Sequence, residues 1–346
     1  MTGTDIGATV MAATDIDVVP STRFADDDRL TWRFLMRVFV TGASGWIGSA
    51  VVPELIGSGH QVIGLARSDA SAAALTAAGA EVQRGGLDDL DILGSAAAAS
   101  DGVIHLAFKH DLAFTGDFEG AANADRLAIE ALGEALVGSD RPFLIASGTL
   151  GLAPGRVATE RDMPDLDAAT TLFTGGPAIR ARNAQMTLEL ASRGVRSSVV
   201  RLPPTNHGEG DNGFMATLVA IARDKGVSGY IGDGTNRWPA VHRLDSARLF
   251  RLAVETAPAG SALHAVADEG VAIRDIAEVI GRHLDIPVLS ISPEDAGEHF
   301  TWLAGFLGSD SPASSALTRA LLAWEPTHLG LIDDLDQGHY FHTPAP

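Results

Sequence analysis

The sequence predicts an α/β protein: a doubly wound parallel sheet carrying a smaller C-terminal α/β lobe. Three observations lead there. From Arg37 onward, short β-branched runs alternate with Ala-rich helical stretches, the pattern of repeated βαβ units. The first run meets the first helix through a turn with glycines at every third residue, Gly42, Gly45 and Gly48. After Pro204 the rhythm breaks into loops and shorter helices.

The elements follow in order. "RVFVT" reads as a strand, "WIGSAVVPELIGSG" as a helix ending at Gly57 or Gly59, and "HQVIGLA" as the second strand. "DASAAALTAAG" is a helix, "AEVQRG" a short strand, "LDDLDILGSAAAAS" a helix, "DGVIHLAF" the fourth strand. The long "DFEGAANADRLAIEALGEALVGS" is a helix and "RPFLIAS" the fifth strand; a helix from about Pro177 to Arg193 and the strand "RSSVVRLPP" complete six strands of a doubly wound sheet. Beyond it, helices are expected at about Met215 to Lys225, Leu244 to Glu255, Ile273 to His283 and Ser314 to Leu322. Brief strands are expected near "ALHAV" and "VLSIS", capping the sheet's carboxyl edge rather than extending it. The division is therefore residues 36–204 for the sheet domain and 205–346 for a substrate lobe, with part of 232–256 returning to the sheet. Residues 1–35 sustain no period of 2 or 3.6 and read as a disordered extension. Met36 would make a natural start, with a regulatory tail as the alternative.

Composition narrows the chemistry. The chain has 346 residues, 44 acidic against 25 basic, for a formal charge of −19, a field that repels nucleic acid and anionic lipid. With no cysteine there is no disulfide, thiolate nucleophile or Cys-ligated metal. Neither a signal peptide nor a run of ~20 apolar residues is visible, so a cytoplasmic protein with a small-molecule partner is expected. No metal site is expected, since neither an H-E-x-x-H motif nor a close histidine pair on one helix face occurs. "ASGTLG" is not a hydrolase elbow.

The glycine turn is specific because of its context: it follows a strand, opens a helix and begins a βαβ run. Gly42 permits the tight turn, Gly45 lets backbone N–H groups approach a diphosphate, and Gly48 lets helix and strand pack closely. Ser44, Trp46 and Ile47 complete the expected cofactor turn. Arg67 lies nineteen residues after Gly48, at the end of the second strand, where a base accepts the 2′-phosphate of NADP and an acid binds the 2′-hydroxyl of NAD. Arg67 and Ser68 favour NADP, with NAD as the alternative; Asp69 is the counter-indication.

At this point the residues resemble a family, the extended and atypical short-chain dehydrogenases/reductases, or NAD-dependent epimerase/dehydratase family. "VFVTGASGWIGSAV" resembles its nucleotide motif, "GVIHLAF" its fourth-strand motif, "FLIASGTLGLAPG" its serine strand and "VVRLPPTNHGEG" its sixth-strand motif. "GDGTNRWPAVHRLDSARLFRLAVE" is similar to its segment returning to the cofactor edge. The resemblance implies a Rossmann fold, a nicotinamide cofactor also touching Ala107, and a serine or threonine polarising the substrate oxygen, here Ser147 or Thr149. It leaves the oligomeric state open, adding only that family members commonly dimerise through helices flanking the sheet. In the family a Tyr-x-x-x-Lys pair handles the proton. The chain departs from that pattern, with Gly176 at the tyrosine position and Arg180 at the lysine. Arg180 can hold a ribose or phosphate, yet with a pKa above about 12 it is a poor proton shuttle.

A substitute must come from loops over the same edge. "FKHD" offers Lys109, His110 and Asp111; His207 and His242 enter from later loops. Histidine titrates near neutrality and can replace a phenol, and His110 is the first choice, although hydrogen bonds alone account for any one of the three. Phe108, Phe114, Phe173, Trp238 and Trp302 suggest an aromatic-tolerant pocket, or plain core packing. The reading is an NADP-dependent oxidoreductase of a small carbonyl or alcohol. Its rivals are a non-catalytic NADP(H)-binding sensor and a sugar-nucleotide epimerase or dehydratase.

Overall fold

The structure is a computed structural model that describes residues 1, 35–153, 155–164 and 176–342. The expected N-terminal extension, apart from its two end residues, and Phe173 lie outside the described residues.

Six strands follow the expected order: β1 (Arg37–Thr41), β2 (Gln61–Ala66), β3 (Glu81–Arg84), β4 (Gly102–His105), β5 (Pro142–Gly148) and β6 (Arg196–Leu202). Later strands are β7 (Thr205–His207), β8 (Ser228–Ile231), β9 (Arg237–His242), β10 (Ser261–His264), β11 (Asp268–Ala272) and β12 (Val288–Ile291). The main sheet is parallel with order β3-β2-β1-β4-β5-β6-β10. Between them run α1 (Gly48–Gly57), α2 (Asp69–Ala77), α3 (Leu90–Ala98), α4 (His110–Phe114), α5 (Phe118–Glu134) and α6 (Gly176–Glu189). The later helices include α7 (Phe214–Lys225), α8 (Arg243–Thr256) and α9 (Ile273–Leu284).

The seventh strand corrects the expectation that "ALHAV" caps the sheet. β10 pairs with β6 from Ser261 opposite Ser198 to His264 opposite Arg201. The cause lies in α8, whose Leu249, Phe250, Ala253 and Val254 pack with Val38, Val40, Ile104 and Val200 on one sheet face. The chain is thereby returned to the open edge of β6, where Gly260 N–H donates to Ser197 O at 2.7 Å and the edge's unpaired backbone groups are satisfied.

Alternation along the strands sorts the two faces. Val38, Val40, Ile104, Leu144 and Val200 face α1 and α8, whereas Phe39, Val103, Phe143, Ile145 and Val199 face α3, α5 and α6. Full burial of Phe39, Phe143 or Phe250 contributes about 1.5–3 kcal/mol each relative to exposure. The lobe has its own core. α9 presents Ile273, Ile276 and Ile280 at helical spacing to Trp238, Phe300 and Leu335. Trp238, expected in a pocket, is fully buried there. Sheet β11-β9-β7 and the pair β12-β8 complete the lobe.

Candidate active site

The glycine turn closes the space between β1 and β4. Gly42 has φ +65°, and a Cβ there would lie 2.7 Å from the Ala107 backbone nitrogen. A Cβ on Gly48 would overlap Gly42 O and come within 2.7 Å of the Ala43 backbone. Neither position admits a side chain. No side chain caps the start of α1, and Ser44 and Gly45 are exposed, which leaves this helix N-terminus open to an anion. The Trp46 side chain turns away to the later chain: its Nε1–H donates to Asn206 O at 2.8 Å and the Arg243 guanidinium lies 4.2 Å over its ring. Ile47 packs half-buried against the sheet core. A diphosphate fits this cradle by its shape and its N–H groups.

At the ends of β2 and β3, Arg84 is in register with Ala66, the residue before Arg67. Arg84 holds the carboxylate of Asp69. Arg67 donates to Asp111 Oδ2 at 3.3 Å in an exposed pair worth at most about 1 kcal/mol. The Ser68 hydroxyl accepts Ser71 N–H at 3.1 Å and caps α2. Lys109 is committed to both oxygens of Asp88 at 2.7 Å.

Beneath the turn lies a buried polar network. Thr41 Oγ1 is 2.7 Å from His105 Nδ1, His105 Nε2 is 3.1 Å from Asp125 Oδ1, and Asn183 Nδ2 donates to Asp125 Oδ2 at 2.8 Å. Burial pushes the Asp125 carboxyl up, but the His105 hydrogen bond, the charges of His105 and Arg180, and Asn183 together hold it below the usual range. Arg180, one helical turn before Asn183 on α6, lies 4.2 Å over the Phe108 ring. The same ring meets His110 edge-on at 5.1 Å. His110 opens α4 at the surface. Its pKa is lowered first by the protein atoms crowding it and next by Arg180, against Asp111. Water screens the first cause at an exposed ring, and the Arg180 charge persists.

Across the carboxyl edge, Ser147 on β5 is in register with Arg201 on β6, and Arg201 with His264 on β10. Arg201 is buried, and its Nη1 donates to Asp162 O at 2.8 Å. Thr149 is 1% exposed, and its Oγ1 has no hydrogen-bond partner among the described residues, which marks it as a hydroxyl open to a further acceptor or donor.

The later histidines do not join this group through any contact among the described residues. His207, in β7, is fully buried and its Nδ1 lies 2.9 Å from Asp334 Oδ2. His242 caps α8, meets His207 edge-on at 5.5 Å and stacks on His328 at 4.6 Å. Both are placed as lobe structure, and the expectation that they overhang the edge gains no support. Tyr340 donates to Asp211 Oδ2 at 3.0 Å, and burial pushes its phenol pKa up; Tyr230 lies 5.6 Å below Arg274. None of the sequence motifs singles out His105, Asp125 or Asn183. A signal existed: His105 interrupts an apolar strand, and Asp125 falls on the apolar face of α5 among Ala122, Ile129 and Leu132.

Comparison with known proteins agrees with this geometry. Residues 38–148, from β1 to the end of β5, match the model of the NAD dependent epimerase/dehydratase family. An uncharacterized protein of Schizosaccharomyces pombe is 48% identical over 308 residues, covering 88% of this chain and 100% of that protein. The chain belongs to the NAD-dependent epimerase/dehydratase family. A more distant relative is a 4-hydroxy-2-methyl-3-oxo-4-farnesyl-3,4-dihydroquinoline-1-oxide ketoreductase of Stigmatella aurantiaca, 28% identical over 65% of this chain and 66% of that one. The dTDP-glucose 4,6-dehydratase DesIV of Streptomyces venezuelae, solved with NAD bound, shares the fold at TM-score 0.69 and 19% identity, over 88% of this chain and 96% of that one. A nicotinamide cofactor is thus supported by the family and by the cradle between β1 and β4. No helix among the described residues is long and apolar enough to cross a membrane.

Proposed function

We propose that the protein is an NADP-dependent oxidoreductase interconverting a small carbonyl compound and its alcohol at the carboxyl edge of the sheet. One observation carries the reading: a turn that admits no side chain and a buried Thr149 hydroxyl, without a partner among the described residues, follow the carboxyl ends of β1 and β5, two strands of one parallel sheet separated only by β4. The N–H groups of the turn from Gly42 to Gly48 would hold the diphosphate. Arg67 would take the 2′-phosphate, since Arg84 already neutralises the neighbouring Asp69. Arg180 would hold the nicotinamide ribose, near Ala107 and Phe108. When bound, the cofactor supplies or accepts the hydride.

The chain's own residues do the rest. Thr149 or Ser147 donates a hydrogen bond to the substrate oxygen and stabilises the charge that develops there. A buried hydroxyl left unpaired costs about 1–3 kcal/mol, a cost that a bound oxygen removes. His110 exchanges the proton in place of the absent phenol. Because its pKa lies below the ordinary 6.5, it is mostly neutral at pH 7. Reduction, which needs the protonated ring, falls as pH rises through that pKa; alcohol oxidation rises through it. Residues 205–346, apart from the return through α8 and β10, form the part that shapes the substrate site.

A titration followed by dihydronicotinamide fluorescence tests the reading. NADPH should bind at least about tenfold more tightly than NADH, and Arg67→Ala should remove most of that difference, as expected for a charge-assisted phosphate contact. Equal affinities would overturn the NADP preference. With a substrate in hand, His110→Ala should lower turnover by about a hundredfold, the scale of one general acid–base group; unchanged turnover would remove His110 from the mechanism. A second reading, a non-catalytic NADP(H) sensor, is favoured by the engagement of both tyrosines in the lobe. It requires NADPH binding without oxidation across a broad carbonyl panel.

A further inference from the structure

The network under the turn has no part in the chemistry above, yet it places a carboxylate where an apolar side chain would pack without desolvation cost. Asp125 is 6% exposed, on a helix face otherwise made of Ala121, Ala122, Ala128, Ile129 and Leu132. Its two direct partners, His105 and Asn183, satisfy both oxygens. Asn183 itself is 1% exposed and stands one turn after Arg180 on α6, so the two side chains share a helix face. On the other side, Thr41 Oγ1 accepts Ala107 N–H at 3.3 Å and lies 2.7 Å from His105 Nδ1, so the chain runs from the end of β1 through His105 to Asp125.

We infer that Asp125 is a positioning residue: bonded to His105 and Asn183, it fixes α6, and with it Arg180, relative to the diphosphate turn for a nicotinamide nucleotide. The inference rests on the reading of Arg180 as the ribose-holding residue. Burial pushes the Arg180 pKa down and the charge of Asp125 pushes it up, which agrees with a carboxylate facing this part of α6. Because Thr41 immediately precedes Gly42, one hydrogen-bonded chain ties the diphosphate turn to the helix that carries Arg180. Arg180 then needs no lysine-like flexibility: its backbone is fixed by α6, which Asn183 ties to Asp125, and its guanidinium lies over Phe108.

A double-mutant cycle on NADPH affinity tests this. Asp125→Asn keeps the shape and removes the charge; it should weaken NADPH binding about tenfold, the scale of coupling between groups in one network. Arg180→Met should weaken it at least as much, and the double variant should bind like Arg180→Met alone. Asp125→Glu should restore part of the affinity. Equal losses from Asp125→Asn in both backgrounds, or no loss, would overturn the inference, because a carboxylate that only supports the fold acts independently of Arg180. If Arg180→Met alone left NADPH affinity unchanged, the reading of Arg180 beneath the inference would fail instead. Thermal unfolding of each variant reports folding. Should Asp125→Asn not fold, Asn183→Ala takes its place in the cycle, with a smaller loss that again vanishes in the Arg180→Met background; additivity there overturns the inference in the same way.

Discussion

Two buried histidine–aspartate pairs anchor the two halves of this molecule, and they are built differently. His105–Asp125 joins residues 20 apart on β4 and α5, and each ring nitrogen has a partner. His207–Asp334 joins residues 127 apart, and His207 Nε2 has no partner among the described residues. Around the second pair stand His242 and His328, stacked ring on ring, with Asp245 beneath His328 at 2.9 Å. The first pair is complete and lies beneath the glycine turn. The second fastens the C-terminal segment to β7 and α8 and crowds three imidazoles, where burial first and then His207 and His328 hold His242 below its ordinary pKa. The half with the glycine turn thus has its pair between elements close in sequence, and the lobe has its pair between elements far apart.

The largest effect should come from breaking the local half at one atom. Gly48→Val places carbon where Gly42 O and Ala43 already are, and NADPH binding should fall by more than about a hundredfold, as expected when backbone N–H groups lose their approach to a phosphate. Fluorescence titration checks it, and the lobe should keep its fold. Asp334→Ala should act the opposite way. Removing one partner of a buried pair costs about 3–5 kcal/mol, read by urea denaturation, with NADPH affinity of the folded fraction within about threefold of the parent.

The pH response should sharpen the contrast. His242 has a pKa pushed down to about 4 from 6.5 by burial and by the charges of His207 and His328, against Asp334 and Asp245. The unfolded chain therefore takes up the proton first, so this contribution is whole above pH 6.5 and shrinks as pH falls toward 4. The loss should reach about 1–2 kcal/mol by pH 5. Asp125 and Asp334, whose folded pKa values are lowered, keep their contribution until pH drops below the ordinary carboxylate range near about 4. His264, at the end of β10, also lies at about 4, so denaturation midpoints between pH 7.5 and 5 should decline and His242→Gln should flatten only part of the slope. The smallest effect belongs to Arg84→Ala, which frees Asp69 beside the 2′-phosphate position; NADPH affinity should drop about two- to threefold, the scale of one exposed charge.

These differences also explain how far the sequence could be read. The strands β1 to β6, their helices and the glycine turn follow from periodicity and from glycines whose missing Cβ atoms are required by immediate neighbours. The strand at "ALHAV" was expected, but its place beside β6 was not, because that pairing depends on α8 covering a sheet face, with some sixty residues between the two strands. For the proposed site, position along the strands led to Arg67 and His110, and the family resemblance to Ser147, Thr149 and Arg180, as candidates. His105, Asp125 and Asn183 were not sought, because each alone resembles an ordinary polar residue; their meaning comes from being buried together. His207 and His242 looked like candidates for the edge and turned out to be occupied by partners far along the chain.

The carboxyl edge of β1, β4 and β5 is proposed to bind NADPH through the turn from Gly42 to Gly48 and Arg180. Titration of the full chain with NADPH, followed by fluorescence and repeated with Arg67→Ala, tests it most directly. Saturable binding in the micromolar range or tighter, weakened about tenfold by the substitution, is the predicted result. Absence of any NADPH or NADH binding to the folded protein would contradict it.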